Sequence, residues 1–227
     1  MRYTYYMGCR ISFVGLSGFA GSGKDLFFSL SKSVLKKEGI PCMRLSLADE
    51  LKQQCDKTCK EMFGISATKC SREDKSKIRD FLVFYGSVMR KQTEGKHWTD
   101  LLNKRIKTIK RNLNTEQVKK AVCIVTDIRY SEYPEDETFW LKNNLKGTLI
   151  HISKYDKSYF FNGRKMQEYD SFVGSPNSSE SSQDPKIKKL SDISLLWQHC
   201  EGNPLRNKDL KRAVKETFSQ IGVIKNT

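Results

Sequence analysis

A chain of 227 residues with 37% hydrophobic and 11% aromatic side chains can bury the core of one α/β domain, with length to spare for a lid or insertion. A charged fraction of 30% without any long apolar run argues against a membrane-spanning protein. The net charge of +15 implies anionic partners without choosing between nucleotides and nucleic acid.

The stretch Met1 to Phe13 has neither the apolar segment nor the small-residue cleavage site of a secretory signal, so a cytoplasmic chain is expected. Seven scattered cysteines and three histidines without metal-site spacing predict free thiols in a reducing compartment.

Ile11 to Leu16 is an apolar run suited to a buried strand, and Leu26, Phe27, Leu30 and Val34 follow at helical spacing up to Gly39. Between them lies Gly18-Phe-Ala-Gly21-Ser22-Gly23-Lys24-Asp25, the G-x-x-x-x-G-K pattern in strand–loop–helix context that marks a phosphate-binding loop. Glycines let successive N–H groups point into one concavity, and the helix N-terminus adds its dipole. Lys24 is expected to reach the β- and γ-phosphates. Asp25 stands where the pattern has a magnesium-binding hydroxyl, and a carboxylate beside a triphosphate needs a cation between them, so Asp25 is a candidate metal ligand.

Cys42 to Ser46 reads as a second strand, and a helix carrying Leu51, Cys55, Cys59 and Met62 is predicted to end at Gly64. Ser71-x-x-Asp74 predicts a capping box for a helix with Ile78, Phe81, Leu82, Tyr85, Val88 and Met89 on its apolar face. Arg90, at the end of that helix, suits either the helix dipole or an anion. A further helix spans about 97–113, with Trp98, Leu101, Leu102, Ile106 and Ile109 facing inward.

Lys120 to Thr126 reads as an inner parallel strand ending in Thr126-Asp127-Ile-Arg129. Ligands bind beyond the carboxyl ends of such strands, so Asp127 is expected either to help hold Mg²⁺ or to cap the helix that follows. Gly147 to Ile152 is another strand, after an amphipathic segment with Phe139, Trp140 and Leu145. Residues 153–190 lose periodicity: a mobile basic lid with Lys154, Lys157, Arg164 and Lys165 is expected first, then a flexible serine-rich loop over 174–185. Ile193 to Trp197 is the last strand. Asn203-Pro204 is read as the start of a closing helix with Leu210, Ala213, Val214, Phe218 and Ile221, ending at Gly222. The alternation predicts one parallel sheet with helices on both faces.

Together these segments resemble the bacteriophage-type deoxynucleoside monophosphate kinases, a family that large DNA viruses also carry. The resemblance rests on the phosphate loop with its Lys24-Asp25, where the next residue is Leu26. It also rests on Ser46-Leu-Ala48-Asp-Glu-Leu-Lys52, Gly86-Ser-x-Met-Arg90, His97-Trp98 and Thr126-Asp127-Ile-Arg129-Tyr130. It implies a three-layer P-loop kinase: a central parallel five-stranded sheet flanked by helices, in one domain. The core would be 9–46, 114–152 and 190–227, with a monophosphate-binding helical region over 47–113 and a lid or flexible loop over 153–189. It further implies ATP- and Mg²⁺-dependent phosphoryl transfer to a deoxynucleoside 5′-monophosphate.

In that reading Gly18, Gly21, Ser22, Gly23, Lys24, Asp25 and Leu26 form the donor site, and Asp25 and Asp127 hold the metal. Ser46, Ala48, Lys52, Gly86, Arg90, Trp98 and Arg129 bind the acceptor, with Arg164 contributed by the lid. Lys24, Asp127 and Arg129 serve the transfer itself. Whether Glu132 or Glu135 matters stays open. The family suggests a homodimer, nucleotide substrates and no membrane. A phosphomevalonate-type kinase, a polynucleotide 5′-kinase or nucleic-acid-binding module, and a non-catalytic nucleotide-binding protein are the alternatives. The lysines are spread along the chain without a nucleic-acid motif, so no stable nucleic-acid partner is expected.

Overall fold

In the computed structural model, residues 8–155, 178–198 and 203–225 are described. Five strands, β1 (Arg10–Ser17), β2 (Cys42–Leu45), β3 (Lys120–Val125), β4 (Thr148–Tyr155) and β5 (Ile193–Gln198), form one sheet in the order β2-β3-β1-β4-β5. Every neighbouring pair is parallel. The described helices are α1 (Lys24–Lys37), α2 (Leu47–Phe63), α3 (Arg72–Gln92), α4 (Lys96–Thr115), the short α5 (Glu137–Phe139), α6 (Ser178–Leu190) and α7 (Lys208–Gln220). This is an α/β fold with one parallel sheet between layers of helices, as the alternation of elements predicts.

The inner strands are apolar on both faces because both are covered. Val14 and Leu16 of β1 with Val122 and Ile124 of β3 point to one core, where α1 and α7 supply Phe27, Leu30, Val214 and Phe218. Phe27 lies 6.1 Å, centroid to centroid, from both Trp197 and Phe218. The residues between them, Cys123 and Val125 of β3, face the opposite core with Trp98 and Leu102 of α4 and the buried Trp140 and Leu141. Leu141 lies so close to Gly15 that a Cβ there would meet its Cδ2 at 2.2 Å. A third cluster, Cys55, Cys59, Ile78 and Leu82, joins α2 to α3. Cys9, Cys42, Cys55, Cys59, Cys70 and Cys123 are free thiols. Among the described residues, no helix is long and apolar enough to cross a membrane.

The local signals act as their chemistry requires. Ser46 and Ser71 cap α2 and α3 by accepting hydrogen bonds from the N–H groups of Asp49 and Asp74. Gly64 closes α2 in the left-handed conformation, at φ 66°.

Two expectations are corrected. The serine-rich stretch is not all loop: residues 178–190 form α6, which the buried Gln183 and Ile187, four apart, hold against the sheet and its loops. The closing helix begins later than Asn203-Pro204 suggests. Asn203 caps only a 3-10 turn over Pro204–Arg206, and Asn207 starts α7 by accepting from Asp209 N and Leu210 N. The segment after α5 continues as a wide π-type turn over Trp140–Asn144.

Candidate active site

The phosphate loop starts where β1 ends, at the carboxyl edge of the sheet. Gly18 has φ +121°, and a Cβ there would lie 2.2 Å from the Ile152 carbonyl oxygen of β4, so the loop can pack on that strand only with glycine. Gly21 and Gly23 also have positive φ, and Gly23 leads into α1 without a side-chain cap. Ser22 is buried. Lys24 Nζ donates to the carbonyl oxygens of Gly18 at 2.5 Å and Phe19 at 2.7 Å. Leu26 packs against the core beneath the loop. Asp25 points outward with its side chain 89% exposed, and Arg44 approaches it at 4.0 Å.

Burial lowers the pKa of Lys24 to about 8; Arg129 pushes the same way, while Asp127, Asp184 and Asp25 oppose both. The free protein therefore carries a charged Lys24 below about pH 8 and loses it above. ATP affinity is expected to be flat below that pH and to weaken by up to ~10-fold per pH unit above it, where binding must take up a proton. Titrating the ATP dissociation constant between pH 6.5 and 9.5 checks this. The stability linkage has the opposite sign: the unfolded chain binds the extra proton, so folding gains from this group as pH rises from about 8.

Asp127, just beyond β3, does not cap the helix after it. Its Oδ2 accepts from Ser46 Oγ at 2.8 Å and Ala48 N at 2.7 Å, and its Oδ1 accepts from Leu47 N at 3.0 Å. It thus anchors the N-terminus of α2, 80 residues earlier in the chain. Two residues on, the backbone N–H groups of Arg129 and Tyr130 donate to Glu137 Oε2 at 2.6 and 3.3 Å. Glu137, rather than Glu132 or Glu135, is the glutamate built into this corner. Glu132 binds Arg90, and Glu135 binds Lys96 on the surface.

Glu137 is 4% exposed, and burial, reinforced by Asp136, raises its carboxyl pKa well above the ordinary range. The folded chain then keeps a proton that the unfolded chain has released, so stability falls as pH rises through the window above the ordinary carboxylate value. Glu137→Gln keeps an acceptor oxygen and removes this linkage. Its urea midpoint is expected to match or exceed the wild type at pH 8, with less difference between pH 5 and pH 8. A loss of ~2 kcal/mol at pH 8 would instead mark Glu137 as an ionised anchor.

A cavity of about 260 Å³ opens between α2, α3 and the segment following β3. It gathers Ala48, Lys52, Gly86, Arg90, Trp98, Asp127 and Arg129 from the residues expected to bind the acceptor or serve the transfer. Ser46 stands behind the wall as the cap of α2. Trp98 donates its indole N–H to the Gly86 carbonyl at 3.2 Å, fixing α4 against α3. Lys52 is 3.6 Å from Asp49.

Arg90 is already engaged: NH1 donates to Asp136 at 2.9 Å, NH2 to Glu132 at 2.7 Å, and the guanidinium stacks 3.8 Å over Tyr130. These two bonds use one N–H on each terminal nitrogen, and of the two carboxylate partners Glu132, with its side chain 49% exposed, is the outer one. Lys75 and Arg79 also line the cavity. They were legible, because 75, 79, 82, 83, 86 and 90 fall on one face of a helix. Lys75 is held below its usual pKa by desolvation and by Lys52, Arg129 and Arg79, a sign that four cations converge there. Arg164 lies outside the described residues.

Among the described residues, no three His, Cys, Asp or Glu side chains converge on a metal position. Magnesium in phosphate sites is commonly held by one or two carboxylates with the phosphates themselves, so the acids at this edge fit it in that way.

No family model matches the chain, and no curated protein matches it. Solved structures similar to it include a dephospho-CoA kinase from Campylobacter jejuni, at 15% identity over 93% of this chain and 96% of that one, with a TM-score of 0.38. A shikimate kinase from Aquifex aeolicus is similar at 12% identity over 93% of this chain and 98% of that one, with a TM-score of 0.36. Likenesses this slight say nothing of the chain's substrate.

Proposed function

We propose that the chain transfers the γ-phosphoryl group of ATP, with Mg²⁺, to a deoxynucleoside 5′-monophosphate. The observation that carries this reading is the junction of two sites. The phosphate loop, with Lys24, adjoins a cavity whose wall is cationic at Lys52, Lys75, Arg79 and Arg129 and apolar at Leu51, Leu82, Val83 and Trp98. An acceptor bearing both a phosphate and a flat, poorly solvated ring satisfies both parts of that wall. The deoxynucleoside preference rests on the family resemblance of the motifs.

In this reading an oxygen of the acceptor phosphate attacks the γ-phosphorus, and the bond from that phosphorus to the β–γ bridging oxygen breaks, leaving ADP. Such a transfer needs positioning and charge neutralisation more than covalent help. Lys24 follows the charge on the donor phosphates, while Arg129, Lys52 and Lys75 hold the acceptor phosphate. Arg90 props the Glu132–Asp136 segment against Tyr130 from the cavity wall. The apolar wall and Trp98 exclude water from the acceptor, which limits hydrolysis. Mg²⁺, held by a carboxylate at this edge together with the donor phosphates, would supply charge neutralisation there.

The test is ADP release from ATP–Mg²⁺ against dTMP, dGMP, dCMP, dAMP, dUMP, their ribose forms, phosphomevalonate and a 5′-hydroxyl oligonucleotide. Turnover confined to one or a few monophosphates supports the reading. Activity on phosphomevalonate or the oligonucleotide alone, or on no acceptor, overturns it.

A further inference from the structure

Neither acid assigned to the metal from the sequence is well placed for it alone. Asp25 faces solvent, and Asp127 spends three hydrogen bonds on the N-terminus of α2. A third acid, Asp184 of α6, lies at the same edge of the sheet. Its Oδ2 is 3.2 Å from Nε2 of His151, whose Nδ1 is 3.3 Å from Ser153 Oγ. His151 is 3% exposed in its side chain, and Asp184 is 13% exposed.

The register fixes where this pair stands. His151 of β4 is paired with Ser17, the last residue of β1 before the phosphate loop. The following residue, Ile152, offers the carbonyl on which Gly18 packs. On the other side, Gln183 of α6 meets Ser131, two residues past Arg129, at 3.5 Å. Asp184 therefore stands between the phosphate loop and the Arg129 segment, and its charge acts on Lys24. A histidine behind a carboxylate fixes the carboxylate's direction, as outer partners do for metal-binding acids.

We propose that Asp184, oriented by His151, is the carboxylate that engages the divalent cation of the bound nucleotide through that cation's water shell. The inference rests on the donor-site half of the proposed function and not on the identity of the acceptor. His151 is a positioning residue. One carboxylate with phosphate oxygens and waters suits magnesium, which dehydrates reluctantly.

The test separates metal-bound from metal-free nucleotide. ATP binding to wild type, Asp184→Asn and Asp184→Glu is measured by calorimetry with excess Mg²⁺ and again with EDTA. A cation-engaging carboxylate attracts ATP–Mg²⁺ and repels bare ATP, so D184N should weaken the first by about 3- to 10-fold and tighten the second. D184E should keep the wild-type order. His151→Gln should lose part of the magnesium preference without gaining affinity for bare ATP, because the carboxylate charge remains. Unfolding midpoints confirm that each variant is folded, and D184E keeps the test decisive if the asparagine variant is not.

If D184N tightens both forms, Asp184 only neutralises Lys24; if it weakens both, Asp184 is structural; either result overturns the proposal, as does no change. Wild type that binds neither form overturns the donor-site reading as well. Binding without turnover on any acceptor leaves this assignment standing while the proposed function falls.

Discussion

Lys24→Ala is expected to lower turnover by about 10²- to 10³-fold, the usual consequence of removing one preorganised donor from a developing phosphate charge. The fold should survive the change. The ammonium is buried at some cost, which is why its pKa falls to about 8, and alanine removes that cost along with the charge. What alanine leaves behind are the carbonyl oxygens of Gly18 and Phe19, which lose a donor at 2.5 and 2.7 Å. The thermal midpoint at pH 7 should therefore change little, and its rise with pH above about 8 should flatten. Lys24→Arg keeps a charge but replaces a compact point donor with a planar fork, and it is expected to recover only part of the rate. Wild-type turnover in the alanine variant would remove the loop from the mechanism. A collapse of the midpoint would assign Lys24 to structure instead.

The elements legible in the sequence are those whose cause is local. β3 is apolar from Ala121 to Val125 because both of its faces are covered, and α4 shows its buried stripe of Trp98, Leu102 and Ile106 directly. Caps at Ser46 and Ser71 and the stop at Gly64 depend on residues three or four apart. α6 is different. Its serines and the internal Pro185 argue against a helix, and what holds it lies far away in sequence: His151 against Asp184 and Ser131 against Gln183. Asn203 and Asn207 are equally good caps on paper, and only the packing of Leu210 and Val214 decides which one starts α7.

The site divides in the same way. The phosphate loop is a contiguous motif and is readable as such. The corner around Arg129 is not, because Glu132, Glu135, Asp136 and Glu137 are four acids in a row of six, and burial alone tells them apart. Asp136 is wholly buried under Arg90, Glu137 closes on the backbone of Arg129, and the other two remain near solvent. Arg90 shows the limit of motif matching. It lines the cavity wall, while its hydrogen bonds go to the carboxylates of Asp136 and Glu132. Lys75 and Arg79 share a helical face with Leu82, Gly86 and Arg90, but cations on a helix face read equally well as solvated surface, and only the cavity distinguishes the two.

Asp127→Ala is expected to have the largest effect on stability of any single change at the site. The substitution removes the acceptor for Ser46 Oγ, Leu47 N and Ala48 N at once, and with it a negative charge facing the positive end of α2. Loss of a helix cap alone costs about 1 kcal/mol, and buried donors without partners cost more, so a total of about 2–4 kcal/mol is expected. In a chain of this length that lowers the unfolding midpoint by roughly 5–15 °C. Nucleotide and Mg²⁺ need not be present for the effect, which is what distinguishes an anchor from a metal ligand.

Asp127→Asn should fall between, since its amide keeps one acceptor oxygen but turns an N–H₂ group toward donors. Turnover should fall with stability in both variants, because α2 carries Ala48, Leu51 and Lys52 into the cavity wall. If the midpoint of the metal-free alanine variant instead matches the wild type while the Mg²⁺ requirement shifts, the carboxylate belongs to the cation. The three hydrogen bonds to α2 would then be incidental to its role.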